Sequence, residues 1–287
     1  WDGELEWFWT YSSETHRSHH DIEPLPNGNI LIIAWEYINA TEAEEKGKNL
    51  AGQSTVKSVG TTSVWPDKVL EIKPVGSDDA EIVWEWSFWD HTIQDIDETK
   101  DNFGNISEHP ELLDINFSNE QDWLHCNSID YNHILDQIAL SCKNSNEIYI
   151  IDHSTTIEEA RGSTGGNSGM GGDILYRYGN PQIYDRGNSS DQLLFGQHDA
   201  RWIEEGYLDS GKLMIFNNGN GRNTSYSSID VISLPVNGSN YFIDDNEKFG
   251  PRNLSWTWDI GNEMYAPFVS GSTRLSSGNT LITHGTQ

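Results

Sequence analysis

Leu5-Glu6-Trp7-Phe8-Trp9 returns three times along the chain, as Ile82-Val83-Trp84-Glu85-Trp86, Ile174-Leu175-Tyr176-Arg177-Tyr178 and Leu254-Ser255-Trp256-Thr257-Trp258. Aligned on Trp7, Trp84, Tyr176 and Trp256, the copies stand 77, 92 and 80 residues apart. Aromatic side chains at alternate positions suit a pleated strand, and near-regular recurrence on this scale marks a repeat architecture. A hairpin follows each copy. The first runs from His20 through the turn Pro26-Asn27-Gly28-Asn29 to Ile33, and the second pairs 125–131 with 137–142. The third pairs 198–203 with 212–216, and the fourth pairs 268–275 with 280–283. One more β-rich run (68–73, 147–152, 228–233) separates each of the first three hairpins from the next aromatic strand.

Four strands per unit is the count of a propeller blade. The expected fold is therefore all-β, one β-propeller domain over 1–287 with complete blades at about 19–87, 124–178 and 198–258. A blade end at 4–9 and a partial blade at 267–284 flank them. Three full units do not close a ring, so the chain reads as a fragment of a larger propeller. A sandwich of the same hairpins is the rival architecture, and the regular unit length argues against it. Composition agrees with an all-β reading: 12 Trp, 11 Tyr and 9 Phe suit strands, and 26 Gly suit the turns between them.

The formal charge of −28 excludes a phosphate-backbone grip and an anionic membrane surface as partners. No run approaches the roughly 20 apolar residues of a membrane span. Trp1-Asp2-Gly3-Glu4 lacks the basic and apolar regions of a signal peptide. Seven Asn-x-Ser/Thr sequons, at Asn39, Asn105, Asn116, Asn188, Asn223, Asn237 and Asn253, exceed the roughly four that chance supplies and favour secretion. Two cysteines, Cys126 and Cys142, are too few for a disulfide framework.

The segments 41–62, 91–122 and 162–172 read as loops, the first with a short helix near 42–46. None has the strand, glycine loop and helix of a phosphate cradle. Asp95-Ile96-Asp97-Glu98-Thr99-Lys100-Asp101 resembles half a calcium loop but lacks its turn Gly and closing Glu.

Overlaying the units puts His20, His125 and His198 at one position, the start of each unit's first strand. In a propeller that strand lies nearest the axis, so residues 105 and 73 positions apart converge. A purely structural role, each His capping a strand end, is the competing reading. Strand alternation sends His125 and Asn127 to one face and Cys126 to the other. A turn centred on Ile134 sets His125 opposite Lys143 and Cys126 opposite Cys142, where the two sulfurs could be bridged in an oxidising compartment. Asp21 and Asp199, each following a histidine, are expected to point into the blade or bind backbone. A patch of imidazoles, an amide and a cation has no carboxylate pair for glycoside chemistry. A three-His metal site and a site for an anionic group, with imidazoles as nucleophile and acid–base, both remain open.

His19-His20-Asp21-Ile22, Leu25-Pro26-Asn27-Gly28-Asn29, the run from Asp122 through His125-Cys126-Asn127 to Tyr131, the run from Gly172 to Pro181, and Gln197-His198-Asp199-Ala200 are similar to the bacterial arylsulfate sulfotransferases. The likeness extends from about residue 3 to the last. It implies a six-bladed propeller, secreted or periplasmic or held at the cell surface. The implied activity moves a sulfuryl group from an aryl sulfate to a phenol without a nucleotide donor or other cofactor. By position His198 is the histidine that becomes sulfated, with His20 and His125 as its catalytic partners. Asn127, Lys143 and His19 are implied to hold substrate. Lys143 departs from the family's arginine, eighteen residues beyond His125. It keeps the charge but not the bidentate fork. Two other readings stand beside this one: a secreted or surface propeller that binds without catalysis, and a metal-dependent hydrolase built on the histidines.

Overall fold

The computed structural model describes residues 2–53 and 63–286; part of the loop expected at 41–62 therefore lies outside the described residues. Three antiparallel four-stranded sheets succeed one another, each a meander in chain order. The first comprises β1 (His16–Pro24), β2 (Ile30–Glu36), β3 (Asp67–Val75) and β4 (Asp79–Ser87). The second comprises β5 (Cys126–Asn132), β6 (Gln137–Cys142), β7 (Glu147–Asp152) and β8 (Tyr176–Tyr178). The third comprises β9 (His198–Trp202), β10 (Leu213–Asn217), β11 (Ser228–Ile232) and β12 (Trp256–Trp258). A hairpin of β13 (Gly271–Arg274) and β14 (Thr280–Thr283) follows. The protein is all-β, with few helices. One of them, α1 (Ala40–Glu45), takes Asn39 as its N-cap and matches the short helix expected there.

Alternating side chains explain the stacking. Leu31 and Ile33 face a core shared with Ile138, Leu140 and Tyr149 of the second sheet, while Ile32 points the other way onto Leu70 and Ile72. Ile148 and Ile150 of β7 pack with Leu213 and Ile215 of β10. Middle strands such as β6, β7, β10 and β11 are thus buried on both faces and read as continuous apolar runs. Trp86 and Trp123 are fully buried in the first of these cores, a burial worth roughly 2–3 kcal/mol for a large apolar side chain.

Residues 4–9, expected as a blade end, form no strand. Leu5 and Phe8 face solvent, so one face of that segment buries nothing. Trp7 and Trp9 lie instead on Ile32, Leu70 and Ile72, and Trp7 Nε1 donates to Asp79 O at 2.9 Å.

The first strands of the units lie side by side, joined by side-chain-to-backbone bonds. Ile129 N–H donates to Asp21 Oδ2 at 3.2 Å, Ala200 N–H to Ser128 Oγ at 3.0 Å, and Ser272 N–H to Asp199 Oδ2. Asp21 and Asp199 bind backbone, as expected. A Cβ at Gly271 would meet the Asp199 carboxylate and force it to shift off its bond to Ser272 N–H.

Candidate active site

Those bonds align the units residue by residue, and the alignment differs from the sequence overlay. Asp21, Ser128 and Asp199 make the same bond to the next strand, so their predecessors His20, Asn127 and His198 are equivalent. His125 sits two residues earlier. The cause is a bulge in each strand. The β1/β2 register shifts between Ser18 and Ile22, β5/β6 between Ser141 and Cys142, and β9/β10 between His198 and Arg201. Extra residues at a bulge re-aim the side chains around it. His20, His125 and Asp199 take left-handed φ values of 57°, 54° and 53°, and the β-branched Val269 takes 49°. Such backbone strain concentrates at functional sites.

The bulges bring His20 and His125 together, with ring centroids 4.6 Å apart and edge to face. His19 stacks flat on Trp35 at 3.7 Å, and its Nε2 lies 3.0 Å from Asp67 Oδ1 in the buried base of the site. His19 Nδ1 and His20 Nδ1 are hydrogen-bonded at 2.7 Å, so one of these two nitrogens carries the shared proton. Partial burial first, then His19, His125 and His198, hold the His20 pKa down at about 4. His125 Nδ1 is hydrogen-bonded to Asp122 Oδ2, the pairing that orients a general base.

His198 is 7 % exposed and held on both ring nitrogens. Nδ1 lies 3.0 Å from Gly196 O and 2.9 Å from Asn218 Oδ1, both acceptors, so Nδ1 carries the proton. Nε2 accepts a long bond from Val269 N–H at 3.3 Å. Burial lowers the His198 pKa; Asn218 and Gly196 oppose that shift, and the nearby charges of Lys143 and His125 add to it. The ring is thus a neutral imidazole at neutral pH, with its nucleophilic lone pair on Nε2.

Lys143 N–H donates to His125 O at 3.1 Å, and Cys126 pairs with Cys142 across the strands. The sequence-derived register is therefore right at this end of the hairpin. It is wrong nearer the turn, where Ser128 faces Ser141 and Asn127 is the bulged residue. Cys126 and Cys142 form a disulfide. Asn127 Nδ2 donates to Gln197 O at 2.8 Å, and its Oδ1 is buried without a hydrogen-bond partner among the described residues. An anion can use only the second amide hydrogen, while Oδ1 offers an acceptor for a hydroxyl.

All six residues singled out in the sequence fall in one region: His19 and His20 at the bulge within β1, His125 and Asn127 at the entry to β5, His198 at the start of β9 and Lys143 just beyond β6. Asn218, Asp122, Asp67 and Trp35 were missed. Each acts through a partner distant in sequence or three residues off, with no motif to announce it. The run Asp95–Asp101 gathers no ligand set: Asp97 caps its own turn at Thr99. Among the described residues no group of three or more His, Cys, Asp or Glu is arranged to hold a metal ion.

A family model described as Arylsulfotransferase (ASST) matches residues 10–287, nearly the whole chain. No curated protein matches. A crystal structure of a protein of unknown function from Bacteroides caccae is similar at 10 % identity with a TM-score of 0.45. The match covers 95 % of this chain and 58 % of that protein, so the chain spans little more than half its length.

Proposed function

Since this chain belongs to the arylsulfotransferase family, we propose that it transfers a sulfuryl group from an aryl sulfate to a phenol through a sulfated His198. The observation that carries this reading is the fixed tautomer of His198: Asn218 and Gly196 take the Nδ1 proton and leave Nε2 as nucleophile.

In the first half-reaction Nε2 exchanges its contact with Val269 N–H for the donor's sulfur. An Nε2–S bond forms in line as the S–O(aryl) bond breaks, and the electron pair leaves with the phenolate. Lys143 and the Asn127 amide stabilise the sulfonate oxygens, and the local cation offsets the repulsion that a −28 protein exerts on an anionic substrate. In the second half-reaction His125, oriented by Asp122, takes the proton of the acceptor phenol; its oxygen attacks sulfur, the S–Nε2 bond breaks, and neutral His198 returns. The His20 ring stands edge to face with His125, 4.6 Å between centroids.

The architecture that supports this site is a β-propeller. Each four-stranded sheet is a blade, and the adjacent first strands line the axis where the histidines meet. The Cys126–Cys142 disulfide supports a secreted, periplasmic or cell-surface location.

Lys143 in place of arginine, with Val269 N–H already on Nε2, favours a second reading, a non-catalytic binding module. Incubating the protein with a chromogenic aryl sulfate and a phenol separates the two. Acceptor-dependent release that disappears in His198→Ala supports transfer, and no release supports the binding module.

A further inference from the structure

A cleft of about 470 Å³ is lined by Trp35, Trp65, Tyr37, Arg17, Thr15 and Glu36, among others, and meets the candidate site through Trp35 alone among its described lining. This volume is within the range of small-molecule sites and exceeds what one benzene ring occupies. Trp35 and Trp65 stand 6.1 Å apart with ring planes at 51°, an open aromatic corner. Among the described residues neither indole N–H has a hydrogen-bond partner.

Trp35 belongs to both places. One side of it lines the cleft, and its ring stacks on His19 and lies 6.0 Å from His125. A planar group seated against Trp35 and Trp65 is therefore separated from His19 and His125 by the Trp35 ring.

We propose that this cleft is the aryl subsite, with Trp35 and Trp65 as its walls, and that it selects planar two-ring phenols and their sulfates over one-ring ones. The proposal rests on the sulfotransferase reading and extends it to substrate selection. Offset or edge-to-face stacking on two indoles grows with ring area, which is the physical basis for preferring the larger aryl group.

Two measurements test it. The first is equilibrium binding of naphthalene-2-sulfonate, which has a carbon–sulfur bond and cannot transfer. Trp65→Ala should weaken binding by about tenfold, with Trp65→Phe intermediate. The second is the ratio of kcat/KM for 2-naphthyl sulfate to that for phenyl sulfate, which should fall about tenfold in Trp65→Ala, chiefly through KM. Weakened binding in a protein that turns over neither ester sinks the sulfotransferase reading and leaves the cleft standing. Turnover with the same naphthyl-to-phenyl ratio in wild type and both variants overturns the cleft proposal, as does wild-type binding of naphthalene-2-sulfonate that Trp65→Ala leaves unchanged.

Discussion

Asn218 Oδ1 accepts the Nδ1 proton of His198 at 2.9 Å, and the same amide donates at 2.8 Å to Ala266 O and Val269 O. One buried side chain thus sets the tautomer of the proposed nucleophile and anchors the strand-entry segment that touches its other nitrogen. Asn218→Ala should lower kcat by on the order of a hundredfold. Asn218→Asp keeps the acceptor and should retain more activity, with the acid limb of its pH profile moved upward by the added carboxylate. Steady-state kinetics of both variants across pH checks this.

The pH dependence of the wild type follows from the same ring. His198 has its pKa lowered, mainly by burial, so protonation inactivates it only below the ordinary imidazole value of about 6.5. Activity should therefore persist as pH falls through 6.5, and the acid limb of kcat/KM should lie below that point. Lys143→Met removes a neighbouring positive charge and should shift the limb upward.

Lys143, whose charge acts on His198, is also the cation proposed for the sulfonate oxygens. Lys143→Met should cost about 10²–10³ in kcat, the scale of losing one oxyanion-stabilising group. Lys143→Arg should raise kcat/KM, since the planar fork matches a tetrahedral oxyanion better than an ammonium does. Initial rates with one aryl sulfate donor decide both.

Far from this chemistry, His153 clasps the first two sheets. Its Nδ1 lies 2.7 Å from Asp136 Oδ1 and its Nε2 3.0 Å from Glu71 Oε2. Burial lowers its pKa, but the two carboxylates outweigh burial and raise it to about 9. A raised folded pKa stabilises fully below the unfolded value near 6.5, and that contribution is lost as pH climbs through 9. The upper bound is about 3 kcal/mol. Thermal melts should show Tm falling between pH 7 and 9.5, and His153→Gln should lower Tm and flatten that slope.

Much of this arrangement was legible in the aromatic strands. Trp84/Trp86, Tyr176/Tyr178 and Trp256/Trp258 do close their sheets, because alternation with a turn signal on either side is a local pattern. Trp7/Trp9 carry the same pattern yet form no strand, since a ladder needs a partner that a sequence window does not contain. The histidines show the other limit. A bulge inserts residues without a composition signal, so the overlay paired His125 with His20 and His198 when Asn127 occupies that place. Convergence was nevertheless readable, because a two-residue offset along one strand displaces a side chain by about 7 Å and keeps it on the same face.

The central claim is a covalent bond to one nitrogen. Intact-protein and peptide mass spectrometry after mixing with an aryl sulfate and no acceptor tests it directly. The account predicts a gain of one SO3 on the peptide containing His198, acid-labile and discharged by added phenol. Phenol release with no such adduct, or an adduct on His20 or His125 that persists in His198→Ala, would contradict it.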